Sequence, residues 1–469
     1  MDMDLYRSTF MCLLALNGAA LYRAWRSKTA PPPPSPTRIE NEKADAVEHR
    51  GRGNDEDAVR VSRLKWKFIP VFLLVNGADW LQGPYIYPIY KDEKGLEEKV
   101  VALLFMMGFL SGGISASFAG SVADRFGRKT ACLSYCVLYS LSCLTLLSDR
   151  LPILFLGRIL GGICGTLLYS VYESWLVAEF NKLMLEEPGS ILGGIFSLNT
   201  TLNSVVAILA GIAAESMVRF FGTAKAPFLG SIACLCVAFM AIAKTWASSE
   251  NYGTLADDSD DSSRLLSAES GKEPAPKTSP LNTVFRDKNI LTLALTSCFF
   301  EGSLFLFIFF KFPALKLCHE MSGASGDLPF GLIFAILMCS MMLGSMLYNN
   351  ITAISQISTK QSLTYTLAAA SACFFLPAYV RDEHITLWCF CVFEVCCGFY
   401  YPAMSSLKGK LVKDGARASV YTILRVPLNT FVVLALSVTK EGESHRNKVF
   451  VMCSGLMVCA ALVVHRVLT

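Results

Sequence analysis

The chain has 469 residues, 53% hydrophobic and 17% charged, where a soluble globular protein carries roughly 25% charged residues. Most of it is therefore solvated by lipid, and the net charge of +4 says little about nucleic acid until the basic residues are placed. No nucleotide loop, metal cluster or nucleophile–base pairing stands outside the apolar segments, so no enzyme activity, cofactor, metal or nucleic-acid partner is expected.

The first apolar stretch, about 8 to 25, has a basic flank in Arg23, Arg26 and Lys28 but no basic start and no small-residue cleavage site. An uncleaved membrane anchor over 1–28 is expected. Residues 29–64 open with Pro31 to Pro34 and Pro36 and continue in mixed charge with few large apolar residues, the composition of a disordered cytosolic linker.

Apolar runs long enough to span a bilayer, about 17 to 25 residues each, follow near 68–90, 100–122, 130–148, 151–174, 190–213 and 226–246. A second linker, 247–283, contains the acidic residues Asp257, Asp258, Asp260 and Asp261 and many serines. Six more runs lie near 289–312, 329–350, 361–380, 385–407, 419–437 and 447–465. The chain thus divides into an anchor, a six-helix half over 65–246 and a six-helix half over 284–469, all helical. A faint repeat relates the halves: Gly165 to Ser170 can be laid on Gly398 to Ala403, and Thr201 to Ser204 on Pro427 to Thr430. The substrate is then expected between the halves, near the midplane.

Between the second and third core spans stands Gly120–Lys129, GSVADRFGRK, too charged for hydrocarbon and expected as a tight surface loop. Placing it in the cytosol puts most of the 42 Lys and Arg in cytosolic segments, as the positive-inside rule requires. Both ends of the twelve-helix core then face the cytosol. The 17 cysteines fall almost entirely inside spans and form no CxxC pair, which suits small apolar fillers.

The pattern Gly120, Asp124, Arg125, Gly127, Arg128, Lys129 resembles the loop signature between the second and third helices of major facilitator superfamily transporters. The resemblance implies a gating loop and the major facilitator fold, here with one extra N-terminal hydrophobic helix. In the second half the corresponding stretch after Gly344 lacks the Asp and Arg pattern, so a latch of this kind is expected on one side only.

Ionisable residues inside spans are expensive and usually face a cavity. Those here are Asp79, Arg158, Glu173, Glu301, Lys311, Glu394 and Arg425. Glu173, Lys311 and Lys408 lie near span ends, where snorkelling to the interface is expected. Arg158 precedes Gly161, Gly162 and Gly165, and Tyr169 follows eleven residues on, three helical turns along the same face. Arg425 has Asn429 one turn away, and Pro84 and Pro88 are expected to bend the first core helix.

Several stretches together resemble a narrower group, the molybdate-anion transporter family: ADWLQGPYIYPIY (78–90), LGRILGG, YESW (172–175), SSENY (248–252), FEGSLFLFIF (300–309), CGFYYPAMSSLK (397–408) and LRVPLN (424–429). The resemblance implies molybdate uptake through a multi-pass protein of the cell membrane. The residues permit it: a tetrahedral dianion needs guanidinium, hydroxyl and amide donors, and Arg158, Arg425, Tyr169, Tyr401, Asn203 and Asn429 are of that kind. Bringing a dianion in against 100 mV costs about 4.6 kcal/mol, twice the charge term. Coupled protons are therefore expected as a second partner, with Asp79, Glu173, Glu301 and Glu394 as their carriers, in a protein acting as a monomer. Sulfate has the same shape and charge. Two other readings stand open: a proton-coupled carrier of a small organic solute lined by Tyr85, Tyr87, Phe399, Tyr400 and Tyr401, and a transporter-like receptor or scaffold signalling through its linkers.

Overall fold

The computed structural model describes residues 2–29, 44–185, 188–246, 287–323, 326–354, 357–411, 417–440 and 442–468. Among these, the chain is helical throughout: α1 (Asp2–Thr29), α2 (Ala44–Gln82), α3 (Glu98–Ser115), α4 (Ala119–Phe126), α5 (Arg128–Thr145), α6 (Leu151–Asn181), α7 (Pro188–Phe221), α8 (Ala226–Thr245), α9 (Lys288–Met321), α10 (Phe330–Ile354), α11 (Thr359–Tyr379), α12 (Glu383–Leu411), α13 (Arg417–Ser437) and α14 (Glu443–Val467). Eight of these helices are long and apolar enough, by length and composition, to cross a membrane. Large apolar side chains such as Leu156, Leu209, Val237, Leu434 and Leu462 stand exposed on the outer surface, a pattern that suits hydrocarbon and not water.

The first core helix starts well before position 68. It begins at Ala44, inside the segment expected as linker, and its last three turns before the apolar run are held by packing. Val61, Leu64, Phe68, Val71, Val75 and Ala78 are all buried, spaced by three and four residues so that they form one stripe. Phe68 stacks on Trp175 and Trp246 at 6.3 and 6.4 Å, and those two indoles stack on each other at 3.6 Å. The helix ends at Gln82 ahead of Gly83 and Pro84; after a short turn the chain runs into a π-helical turn, Ile89–Glu93. Proline's missing N–H explains the break.

Packing repeats between the halves. Helix α3 packs on α6 as α10 packs on α12, α2 on α8 as α9 on α14, and α5 on α8 as α11 on α14; across the seam α7 meets α10 and α3 meets α13. Glycines set the register. A Cβ on Gly162 would lie 2.2 Å from the Gly108 carbonyl and 2.9 Å from the Gly112 nitrogen, and one on Gly398 would lie 2.3 Å from the Met341 carbonyl and 2.6 Å from the Ser345 nitrogen. Gly162 therefore corresponds to Gly398. The alignment of Gly165 on Gly398 is off by three residues, because Gly165 meets nothing within 4 Å and its lack of a side chain is not what brings the backbones together.

The extra helix α1 lies along α10. Tyr6, Thr9, Leu13 and Asn17 are its buried stripe. Asn17 Nδ2 donates to the Cys339 carbonyl at 2.9 Å, and Tyr6 donates to the Glu383 carboxylate, which also meets His319 Nδ1 at 3.0 Å. The N-terminal segment is thus built into the C-terminal half.

Candidate functional site

Between the halves lies a cavity of about 760 Å³ lined from Tyr90 and Leu146 at one end to Ser117, Gly120 and Ser170 at the other. Its charged lining residues are Asp79 from α2, Arg158 from α6 and Glu301 from α9. Arg158 is held by its surroundings: Nε donates to the Leu104 carbonyl at 3.3 Å, the guanidinium lies 5.0 Å from the centre of the Phe105 ring, and Gly108 leaves it room, since a Cβ there would come 2.7 Å from Nη2. Among the described residues no carboxylate oxygen lies within 4 Å of it, although ion pairs of that length occur elsewhere in the chain. A half-buried guanidinium beside a cavity and not committed to a carboxylate is a ready donor site for an anion.

The carboxylates are engaged by hydroxyls. Tyr139 donates to Asp79 at 2.5 Å; Ser297 and Tyr400 donate to Glu301 at 2.6 and 2.9 Å, and Lys408 Nζ stands 4.0 Å away. Neither Tyr139 nor Ser297 was singled out in the sequence, and Tyr400 only as one of the aromatics lining a site for an organic solute. Tyr400 and Tyr401 are adjacent, and only the helical phase of α12, set by the Gly398 contact, decides that Tyr400 points inward and is buried while Tyr401 is 42% exposed.

Of the other sequence candidates, Tyr169 and Asn429 line the cavity, and a Cβ on Gly113 would lie 2.5 Å from Asn429 Nδ2, so α13 reaches α3 here. Asn203 does not line it and accepts from Trp80 Nε1 at 2.8 Å. Tyr401 and Glu173 also stand apart from the lining, and Glu394 is buried within the C-terminal half. The side chain of Arg425 falls outside the described residues. Lys311 does not snorkel: it is 4% exposed, with Nζ 5.6, 5.1 and 5.4 Å from the ring centres of Phe307, Phe312 and Phe334.

The segment expected as a tight loop is the short helix α4 followed by a single-residue break at Gly127, with φ 94°. Its charges fall at helical spacing, and Asp124 and Arg128, four residues apart, pair at 2.9 Å. Among the described residues, the hydrogen bonds of Arg128 and Lys129 run within the N-terminal half. Arg128 donates to the Ser174 carbonyl at 3.3 Å, and Lys129 to the Trp246 carbonyl at 2.6 Å, where a cation suits the end of α8. Gly127→Val places a β-branched residue in the left-handed region, a strain of about 1–3 kcal/mol. The expected result is slowed transport with substrate binding retained, read by comparing uptake with equilibrium binding; equal losses of both mean misfolding.

At the opposite face the halves are closed against each other. Glu215 of α7 accepts from the Gly331 backbone N–H of α10 at 2.9 Å and from Tyr85 at 2.8 Å, and pairs with Arg219 at 2.9 Å. Lys316 meets Asp92 at 2.7 Å, and Tyr85, Tyr87 and Trp80 meet Phe330, Phe309 and Phe334. Gly211 and Gly331 let α7 and α10 touch, since a Cβ on either would lie 2.7 or 2.4 Å from the other's carbonyl oxygen. The cavity is therefore shut at this face and reaches the α4 face. Glu215→Ala removes a carboxylate that spans the seam, about 1–3 kcal/mol. The expected result is a gain of about fivefold or more in the population open at the far face, read as labelling of a cysteine placed at Phe330; an unchanged rate means the aromatic contacts alone keep the seam shut.

A family profile described as sugar transporters with 12 transmembrane segments matches residues 45–385. A molybdate-anion transporter of Takifugu rubripes is 28% identical over 443 residues, covering 86% of each chain, and one of Danio rerio is 28% identical over 440 residues with the same coverage. A solved D-xylose–proton symporter superposes with a TM-score of 0.67 at 14% identity, covering 86% of this chain and 98% of its own, a likeness of fold.

Proposed function

We propose that this chain, which belongs to the family of 12-span transporters of the major facilitator superfamily, imports molybdate by alternating access coupled to protons, a reading that its 28% identity to molybdate-anion transporters supports. The observation that carries the reading is Arg158, a cation at the cavity with no carboxylate within 4 Å among the described residues. Tyr169 and Asn429 line the same space and offer the hydroxyl and amide donors that an oxyanion accepts from, whereas Ser142 and Thr166 there donate to the Gly157 and Gly112 carbonyls. With the α4 face in the cytosol, the arrangement is the inward-facing member of the cycle, and rocking of the halves about the fixed site gives the outward one.

Asp79 and Glu301 face the same cavity. Two carboxylates beside one guanidinium repel a dianion unless protonated, so proton entry with the substrate relieves the repulsion and supplies the driving force. In this reading the protein is a multi-pass transporter of the cell membrane with a cytosolic C-terminus, which its helices of spanning length and the excess of basic residues on the α4 side support.

A second reading, a carrier of a small polar organic solute, is favoured by the cavity volume of about 760 Å³, far more than a single oxyanion fills, and by the sugar-transporter description of the family profile. Uptake of molybdate by cells expressing the chain, measured by mass spectrometry with excess sulfate, tungstate or sugars as competitors, separates the two. Competition by tungstate and not by sugars is expected; inhibition by sugars alone overturns the molybdate reading.

A further inference from the structure

We propose that Lys311 is a second anion-binding cation of the transport cycle, sealed in the inward-facing state and uncovered when the far face opens. The inference rests on the transport reading above and assigns a residue that the inward cavity does not contain.

Three observations carry it. Lys311 lies in α9, ten residues before the helix ends at Met321 on the closed face, or about 15 Å deep. It is almost fully buried, yet among the described residues no carboxylate oxygen comes within 4 Å of it; its ammonium is enclosed by the rings of Phe307, Phe312 and Phe334. An ammonium desolvated in this way, with aromatic faces in place of a salt bridge, is a poor structural tie and keeps its donors available.

Next, the lid over it belongs to the moving seam. Phe334 is on α10, and its other side packs on Trp80 of α2 at 6.0 Å. A Cβ on Gly83 would meet the Phe334 ring at 3.2 Å, and one on Gly211 would meet it at 3.1 Å. Two helices of the N-terminal half thus press Phe334 onto Lys311. Rotation that separates α2 and α7 from α10 withdraws that pressure and opens the space beside the ring.

The third observation comes from the internal repeat. Arg158 stands four residues before Gly162, and Glu394 stands four residues before Gly398, its structural counterpart. The place that holds the cation in the N-terminal half holds a buried carboxylate in the C-terminal half, and that carboxylate acts electrostatically on Lys311. The C-terminal half therefore has its own cation, Lys311, on the neighbouring helix α9, which packs on α12. The ligand this suits is the same class that suits Arg158, a small oxyanion; a lysine offers point-charge attraction where arginine offers a planar fork.

The experiment measures sidedness. In vesicles sorted by orientation, Lys311→Gln is expected to raise the KM for molybdate entering from the closed face at least tenfold, to leave the KM from the α4 face within twofold, and to be rescued in part by Lys311→Arg. Thermal unfolding of the purified variants checks that they fold. Equal KM changes from both faces, or none, overturn the proposal. A separate arm needs no substrate: Lys311→Cys, with the native cysteines as background, is expected to react with a membrane-impermeant thiol reagent applied at the closed face, and several-fold faster in the Glu215→Ala background. No reaction in that background overturns the proposal. If the wild-type chain moves no molybdate from either face while the cysteine reacts, the molybdate reading fails and the anion-binding role of Lys311 is overturned with it, while its uncovering at the closed face stands.

Discussion

Arg158→Lys, which keeps the positive charge, is expected to lower molybdate uptake about 10- to 100-fold, and Arg158→Ala to lower it further, with little change in thermal stability. The guanidinium uses Nε on the Leu104 carbonyl and one face on Phe105, leaving its terminal nitrogens for an oxyanion. An ammonium cannot serve the backbone, the ring and a bidentate anion together. Losing a charge-assisted hydrogen bond costs about 1.5–3 kcal/mol, which sets the range. Initial uptake rates, normalised to protein at the cell surface, are the measurement. Normal transport by both variants would make Arg158 a structural residue and remove the observation on which the anion reading stands.

The second large effect concerns coupling. Uptake by the wild-type chain is expected to rise as the external pH falls from neutral toward about 5, because protonating a carboxylate beside the anion removes a repulsion. Glu301→Gln should flatten that dependence while retaining the shape of the site: its side chain can still accept from Ser297 and Tyr400, which now donate to the carboxylate at 2.6 and 2.9 Å. The sign follows from the charge balance, since the permanently neutral amide mimics the protonated acid and is fast at every pH if proton release is not limiting. Rates taken at clamped membrane potential check it. A pH-independent wild-type rate would leave voltage or another ion as the driver.

The amino-acid sequence alone determined what hydrophobicity and local chemistry determine. Apolar runs of spanning length fixed the helices, the charged stretch around Asp124 marked a membrane surface, and the cost of burying charge singled out Asp79, Arg158, Glu301 and Glu394. The chain also carried its own stop signals: Gly83 and Pro84 end α2, and Asp287 caps α9 by accepting from the Asn289 and Ile290 N–H groups.

Tertiary structure decided which of those residues meet, because pairing depends on helix rotation and register, which close contacts fix and composition does not. Gly162 and Gly398 set that register, and so placed Tyr400 and not Tyr401 against Glu301. The seam between α7 and α10 likewise turned Glu215, unremarkable in sequence, into a bridge between the halves. Lys311 reads as a snorkelling residue by its distance from a span end, but α9 runs ten residues beyond it and packs it under Phe334. An isolated helix in lipid would let that side chain reach the interface; a helix packed on α12, α13 and α14, with Phe334 of α10 beside the ammonium, leaves it no such path.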